Sequence, residues 1–249
     1  MPASVRDLGK ISVIIPAYNA RRVLQSTLTE VSAFLSANAS AYEIIVVDDG
    51  STDSTAEIAD AFRPSLTLLK LSQNRGKGHA VKHGMLHSTG DWSIFMDADN
   101  STSITHLTRF AEKTDSADVL IASRRLPSAR IVRPQHRIRQ ALGRTFPYIV
   151  RLIALPNVSD TQCGFKMFSR AARQAIFPLQ KIDRFAFDVE LLLIARKLNL
   201  RLAEIPVNWD NPTSSTVRIH IDTIQMLCDV LRARWRLRNL SPATRPSDS

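Results

Sequence analysis

Five short, largely apolar runs divide the first half of the chain, and each is followed by a polar cluster. The run at 11–15 stops at Pro16-Ala17-Tyr18-Asn19, and the run at 43–47 stops at Asp48-Asp49-Gly50-Ser51. The run at 66–71 precedes Asn74-Arg75-Gly76-Lys77-Gly78, and the run at 92–96 leads into Asp97-Ala98-Asp99-Asn100. The run at 119–123 ends at Arg124. Apolar runs of this length fit strands buried on both faces. Helices are expected between them over about 21–37, from Thr52-x-x-Thr55 onward with Asp53 at the positive end, and over 80–87. This alternation predicts a parallel α/β sheet. Ligands of such sheets bind outside the carboxyl ends of the strands, so the clusters should gather on one edge.

The pair Asp97 and Asp99 carries the most chemistry. Along a strand they would point to one side. Two carboxylates placed together repel unless a cation lies between them. A hard dication such as Mg²⁺ or Mn²⁺ suits them and completes its shell with phosphate oxygens. A D-x-D alone is also an ordinary solvated turn. Asp48 and Asp49 are placed to accept hydrogen bonds from a nucleobase or ribose, although acids here also cap helices. The backbone of Gly76-Lys77-Gly78 and the Lys77 ammonium could cradle a diphosphate.

Beyond Arg124 the chain becomes basic. Residues 124–151 hold eight arginines and no Asp or Glu, with Pro127 and Pro134 marking a loop before a helix expected over 135–155. Net charge is +10, which points to an anionic partner. A polar turn, Asp160-Thr161-Gln162-Cys163-Gly164-Phe165-Lys166, then enters an apolar segment. Phe187-Asp188-Val189-Glu190-Leu191 opens a helix running to about Leu198, and a last strand over 202–207 ends at Asn208-Trp209. Near the C-terminus, Ile224, Leu227, Cys228, Leu231 and Trp235 recur at helical spacing among Arg232, Arg234, Arg236 and Arg238. That helix either packs on the core with a basic outer face or lies on anionic lipid. Residues 241–249 are expected to be a disordered tail.

With 44% hydrophobic residues in 249, the chain can bury one sizeable core. Two cysteines are too few for a disulfide framework, so a reducing compartment is expected. No signal peptide and no run of about 18 apolar residues is found. The chain lacks G-x-G-x-x-G after its first strand, a P-loop, a zinc-ligand spacing and a G-x-S-x-G serine. A nucleic-acid-binding module fits the charge. The arginine stretch, however, has few interleaved aromatics for base stacking.

Taken together, Ile14-Ile15-Pro16-Ala17-Tyr18-Asn19, Val46-Val47-Asp48-Asp49-Gly50-Ser51-Thr52-Asp53 and Asp97-Ala98-Asp99 resemble the family 2 glycosyltransferases. The segments at 74–78, 160–166, 187–191 and 204–209 resemble the dolichyl-phosphate β-glucosyltransferase branch, related to the dolichyl-phosphate mannose synthases. The resemblance spans nearly the whole chain. It implies the GT-A fold, a Rossmann-like mixed sheet flanked by helices, over residues 1–220. Residues 11–123 would form the nucleotide-sugar half and 124–220 the acceptor half, with a separate helix over 221–240. It also implies inverting transfer of a hexose from a sugar nucleotide to a polyprenyl phosphate, with Mg²⁺ or Mn²⁺ on Asp97 and Asp99. The nucleoside-binding positions fall on Pro16, Tyr18, Asp48 and Asp49, within a substrate-contacting set that adds Ala17, Asn19, Gly50, Gly76, Lys77, Gly78, Asp160 and Gln162. Arg124 matches a phosphate-binding arginine, and Lys166 matches the basic residue after Cys-Gly-Phe.

Two positions depart from the mannose synthases: Ser101 replaces a Gln and Ala20 replaces a common Glu. UDP-glucose is therefore favoured over GDP-mannose as donor. A phosphate monoester acceptor has a second pKa of about 6 and needs no general base. Arginines of the 124–139 stretch, Arg133 and Arg137 among them, would then hold the acceptor phosphate. Asp188 and Glu190 would bind sugar hydroxyls or orient arginines; with a hydroxyl acceptor, one of them would be the base. A cytoplasmic protein lying on the cytoplasmic face of a membrane is the expected setting.

Overall fold

A computed structural model of the chain describes residues 4–131, 155–210 and 219–240. Arg133, Arg137, the helix expected over 135–155 up to residue 154, and the expected tail lie outside them. In chain order the main elements are β1 (Lys10–Ala17), α1 (Leu24–Asn38), β2 (Ala41–Asp48), α2 (Thr55–Asp60), β3 (Thr67–Lys70), α3 (Lys77–His87), β4 (Trp92–Met96) and α4 (Leu107–Ala111). They continue with β5 (Val119–Ser123), β6 (Arg130–Ile131), β7 (Phe165–Ser169), α5 (Arg170–Ile176), α6 (Phe187–Lys197), β8 (Leu202–Pro206), β9 (Asn208–Trp209) and α7 (Ile219–Leu237).

Seven strands form one sheet in the order β3-β2-β1-β4-β7-β5-β8. The five expected strands are all present. The sheet is not wholly parallel, which corrects what strand–helix alternation implied: β7 runs antiparallel between β4 and β5. The segment 165–169 is a central strand, not merely the apolar stretch after a turn. Its direction depends on pairing with residues at least 45 positions away in sequence (Ile121↔Lys166), a relation that local spacing does not encode. The last expected strand also divides. β8 stays in the main sheet, while β9 pairs with β6 in a two-stranded ribbon.

Alternation along the strands sorts side chains to two faces. Ile14, Val47, Phe95, Ile121 and Phe168 face one core with α3, α6 and α7. Val13, Ile15, Val46, Ile94, Met96, Phe165 and Met167 face the other with α1 and α4. Lys166 lies between Phe165 and Met167, so it points into the first core, beneath α6. Because β1, β2 and β4 run parallel, the loops at 17–19, 48–51 and 97–101 leave the same edge. The last helix completes the first core through Met226, Val230, Ala233 and Leu237.

Candidate active site

The edge is assembled by hydrogen bonds between neighbouring loops. Asn19, with φ 49°, accepts from Thr52 N at 2.9 Å through its side chain. Its own N–H donates to Ser51 Oγ at 3.0 Å. Asp48 accepts from Ser51 N at 3.1 Å. Asp49 reaches the next loop, accepting from Arg75 N at 2.9 Å and Gly76 N at 2.8 Å. Burial lifts the Asp49 carboxyl above its ordinary value, against those two donors. Asp48 and Asp49 are buried at the end of β2, Pro16 and Ala17 are buried in β1, and Tyr18 is exposed at the rim. Gly50, with φ 69°, turns the chain between the two acids and the helix that follows.

Asp97 and Asp99 lie just beyond β4, in a turn closed by Asn100 N donating to Asp97 O at 3.1 Å. Strand alternation therefore does not orient them; the turn does. Asp99 accepts from Ser101 N at 3.0 Å and from the Ser101 hydroxyl. Asp97 is ion-paired with Lys77, the first residue of α3. Burial alone would lower the Lys77 ammonium. The carboxylates of Asp97, Asp188 and Asp99 outweigh it and hold the ammonium above its ordinary value. Lys77 is thus ion-paired with Asp97 and lies in the field of Asp99 and of Asp188 on α6. Any Cβ at Gly164 would run into the Asp97 carboxylate, so this loop approaches Asp97 as closely as glycine allows.

Beneath Lys77 lies a second pair. Lys166 is fully buried, donates to Cys163 O at 2.7 Å, and is ion-paired with Asp188 in the first turn of α6. Burial raises the Asp188 carboxyl, and the Lys166 and Lys77 ammonium groups oppose that rise. A third pair stands at the end of β5. Arg124 donates to both Asp160 oxygens, at 2.7 and 3.0 Å, and its guanidinium lies 5.2 Å from the Trp209 ring centroid. Burial opposes ionisation of Asp160, but the Arg124 guanidinium overrides it and holds the carboxyl at about 2. Gln162 N donates to the same carboxylate at 3.3 Å.

The structure thus gathers Asp97, Asp99, Lys77, Asp188 and Lys166 in one electrostatic cluster, with the 17–19, 48–51 and 74–78 loops joined beside it. Glu190 faces elsewhere. It is fully buried and accepts from Lys181 N, Ile182 N and Arg236. Two supporting residues were not singled out from sequence. Glu204 of β8 holds the 159–160 turn through Ser159 N at 2.9 Å and Asp160 N at 3.0 Å. Asp183 meets Arg75 at 3.6 Å and His79 at 3.3 Å. Glu204 stands within a segment that carried the resemblance, so a signal was present; Asp183 had none.

The chemistry of Asp97 and Asp99 fits a hard dication. Both are partly exposed carboxylates at the ligand edge, and the space beside Asp97 already accommodates a cationic group, Lys77. Among the described residues no group of three or more His, Cys, Asp or Glu could hold an ion alone. The protein would thus supply part of the shell and a bound phosphate the rest.

The model of glycosyl transferase family 2 matches residues 12–177. The chain is 39% identical over 242 residues to a dolichyl-phosphate β-glucosyltransferase of Dictyostelium discoideum, covering 91% of this chain and 74% of that one. It is 31% identical to the human protein of the same name, covering 91% and 75%. Among solved structures, mannosyl-3-phosphoglycerate synthase of Rubrobacter xylanophilus superimposes with a TM-score of 0.72 at 17% identity, covering 97% of this chain and 82% of that one. Glucosyl-3-phosphoglycerate synthase of Mycobacterium tuberculosis, solved with UDP, gives 0.69 at 19%, covering 93% and 84%. These likenesses fix the fold as GT-A, and the match over most of its length places the chain in glycosyl transferase family 2.

Proposed function

We propose that the protein is an inverting hexosyltransferase moving glucose from UDP-glucose to a polyprenyl phosphate. The observation that carries this reading is the Asp97–Lys77 pair beside Asp99, at the edge where the nucleotide-loop hydrogen bonds converge. The relatives named as dolichyl-phosphate β-glucosyltransferases support the acceptor and sugar. A structural neighbour solved with Mn²⁺, UDP-glucose and phosphoglyceric acid supports a uridine nucleotide and a divalent ion.

In this reading Asp48 and Asp49, with the 17–19 loop, hold the nucleoside. Lys77 turns from Asp97 toward the donor diphosphate when it binds. Asp97 and Asp99 would hold a dication, which would supply Lewis-acid neutralisation of the leaving diphosphate. The phosphate acceptor arrives already ionised, so the chain need only position it. Arg124 is occupied by Asp160 and orders that turn. Arg133 and Arg137 are the arginines proposed for the acceptor phosphate. Asp188, neutralised by Lys166, is placed to bind a sugar hydroxyl or to set the position of Lys77. The acceptor is lipid-borne, so the enzyme works at a membrane surface, and the cytoplasmic face is the side proposed.

The test is transfer of labelled sugar from UDP-glucose or GDP-mannose to polyprenyl phosphate with Mn²⁺. Glucose transfer is expected, and Asp97→Asn should cut it by about 100-fold or more while the melting temperature is retained. Mannose transfer in its place would overturn the donor assignment. Near-normal turnover by Asp97→Asn would remove the role of the acid pair.

A further inference from the structure

Glu190 is a fully buried carboxylate that the chemistry above does not use. It accepts from Lys181 N at 3.0 Å, from Ile182 N at 2.7 Å, and from the guanidinium of Arg236, which comes from α7 at the far end of the chain. Arg236 also donates to Leu179 O at 3.3 Å. These groups clamp the segment 179–182 from one side.

On its other side this segment abuts the donor loop. Gln180 Nε2 donates to Gly78 O at 2.8 Å, and His79 N donates to Asp183 O at 3.0 Å. Lys82 Nζ donates to Gln180 O at 2.7 Å. A Cβ on Gly76 would lie 2.6 Å from Asp183 O, so the two backbones touch there. Lys77, between Gly76 and Gly78, carries the ammonium that pairs with Asp97. The backbone position of Lys77 is therefore set by a strap, and the strap is held in turn by Glu190 of α6, which is ion-paired with Arg236 of α7.

We propose that Glu190 and Arg236 are positioning residues for the donor: by fixing the strap from Leu179 to Asp183 they place Lys77 and the 76–78 backbone for the diphosphate. This rests on the reading that the 74–78 loop meets the donor. A buried anion fixes a loop well when a cation balances its charge; Lys181 N reaches both oxygens, at 3.1 and 3.0 Å, but these are neutral donors, and Arg236 of α7 supplies the balancing charge. The phosphate-binding half of the site thereby depends on the last helix of the chain.

The test is steady-state kinetics of the full-length protein with Mn²⁺, UDP-glucose and polyprenyl phosphate, each substrate varied against saturating amounts of the other. Arg236→Met is expected to raise the donor KM by about tenfold, as supporting residues of a site commonly do. The acceptor KM should stay within about twofold of its normal value, and Arg236→Lys should recover most of the loss. Lys82→Met, which releases the strap from the α3 side, should raise the donor KM in the same selective way. That arm decides the matter if Arg236→Met does not fold. A fall in melting temperature with unchanged KM values, or an equal rise in both, would overturn the positioning role alone. A wild-type protein that uses no UDP- or GDP-sugar would overturn the donor reading beneath it.

Discussion

Asp160 shows how a single buried carboxylate in this site can be tested. Its folded value of about 2 lies below the ordinary 3.8, because the Arg124 guanidinium outweighs the burial that opposes ionisation. A depressed carboxylate contributes stability in full above its unfolded value and loses it as pH falls through the folded one. The contribution, roughly 2 kcal/mol, should be present above about pH 4 and fade toward pH 2. Urea unfolding from pH 7 to pH 2 should show wild type more stable than Arg124→Met at neutral pH, with the gap closing in acid. A gap independent of pH would mean that Arg124 acts through packing on Trp209 instead. At this scale the sequence picked out residues but not the partners each one meets. Asp188 and Glu190 occupy the same helical turn and looked equivalent. Two residues are about 200° apart on a helix, so one meets Lys166 in the site and the other meets the strap behind it.

The last helix makes the same point for an element. Apolar spacing along the sequence picked out Ile224, Leu227, Cys228, Leu231 and Trp235 as its stripe. In the fold the residues buried in the core are Met226, Val230, Ala233 and Leu237, on the face about 200° away from Cys228, and of the expected stripe Leu227 packs at the core's margin. Leu231 and Trp235 remain exposed, the latter at 65%, among Arg232, Arg234 and Arg238, with the Arg238 guanidinium 4.7 Å from the Trp235 ring centroid. One expectation for this helix is met, in that one face is core; the exposed basic face is the one proposed to meet anionic lipid. Two substitutions separate the faces. Leu237→Ala should cost about 2–5 kcal/mol in urea unfolding, as loss of a buried leucine does. Leu231→Ser with Trp235→Ser should leave stability nearly unchanged and release the protein from anionic vesicles in a sedimentation assay. Retained vesicle binding would rule out this face as the membrane contact. Among the described residues no helix is long and apolar enough to cross a membrane.

For the whole molecule, the donor should join parts that the chain supplies from far apart: the 17–19, 48–51, 74–78 and 97–101 loops and the first turn of α6. A ligand that binds only this assembled edge stabilises the native state by about 2.7 kcal/mol at a hundredfold excess over Kd. Thermal denaturation with UDP-glucose and Mn²⁺ should therefore give a raised melting temperature, and GDP-mannose a smaller shift. Equal shifts with both nucleotides would mean that the edge does not discriminate the base.

Read alone, the sequence determined what depends on local order. Short apolar runs ending in polar clusters set the strands and the ligand edge, because burial on two faces and loop exposure are written residue by residue. The same local order put Asp48, Asp49, Asp97 and Asp99 at that edge. The tertiary structure alone decided what depends on partners distant in sequence. It placed β7 antiparallel in the sheet and paired Lys166 with Asp188 and Arg236 with Glu190. It also chose which of two apolar stripes on α7 was buried. Those outcomes follow from which surfaces meet once the chain is compact, and no spacing within a segment carries that information.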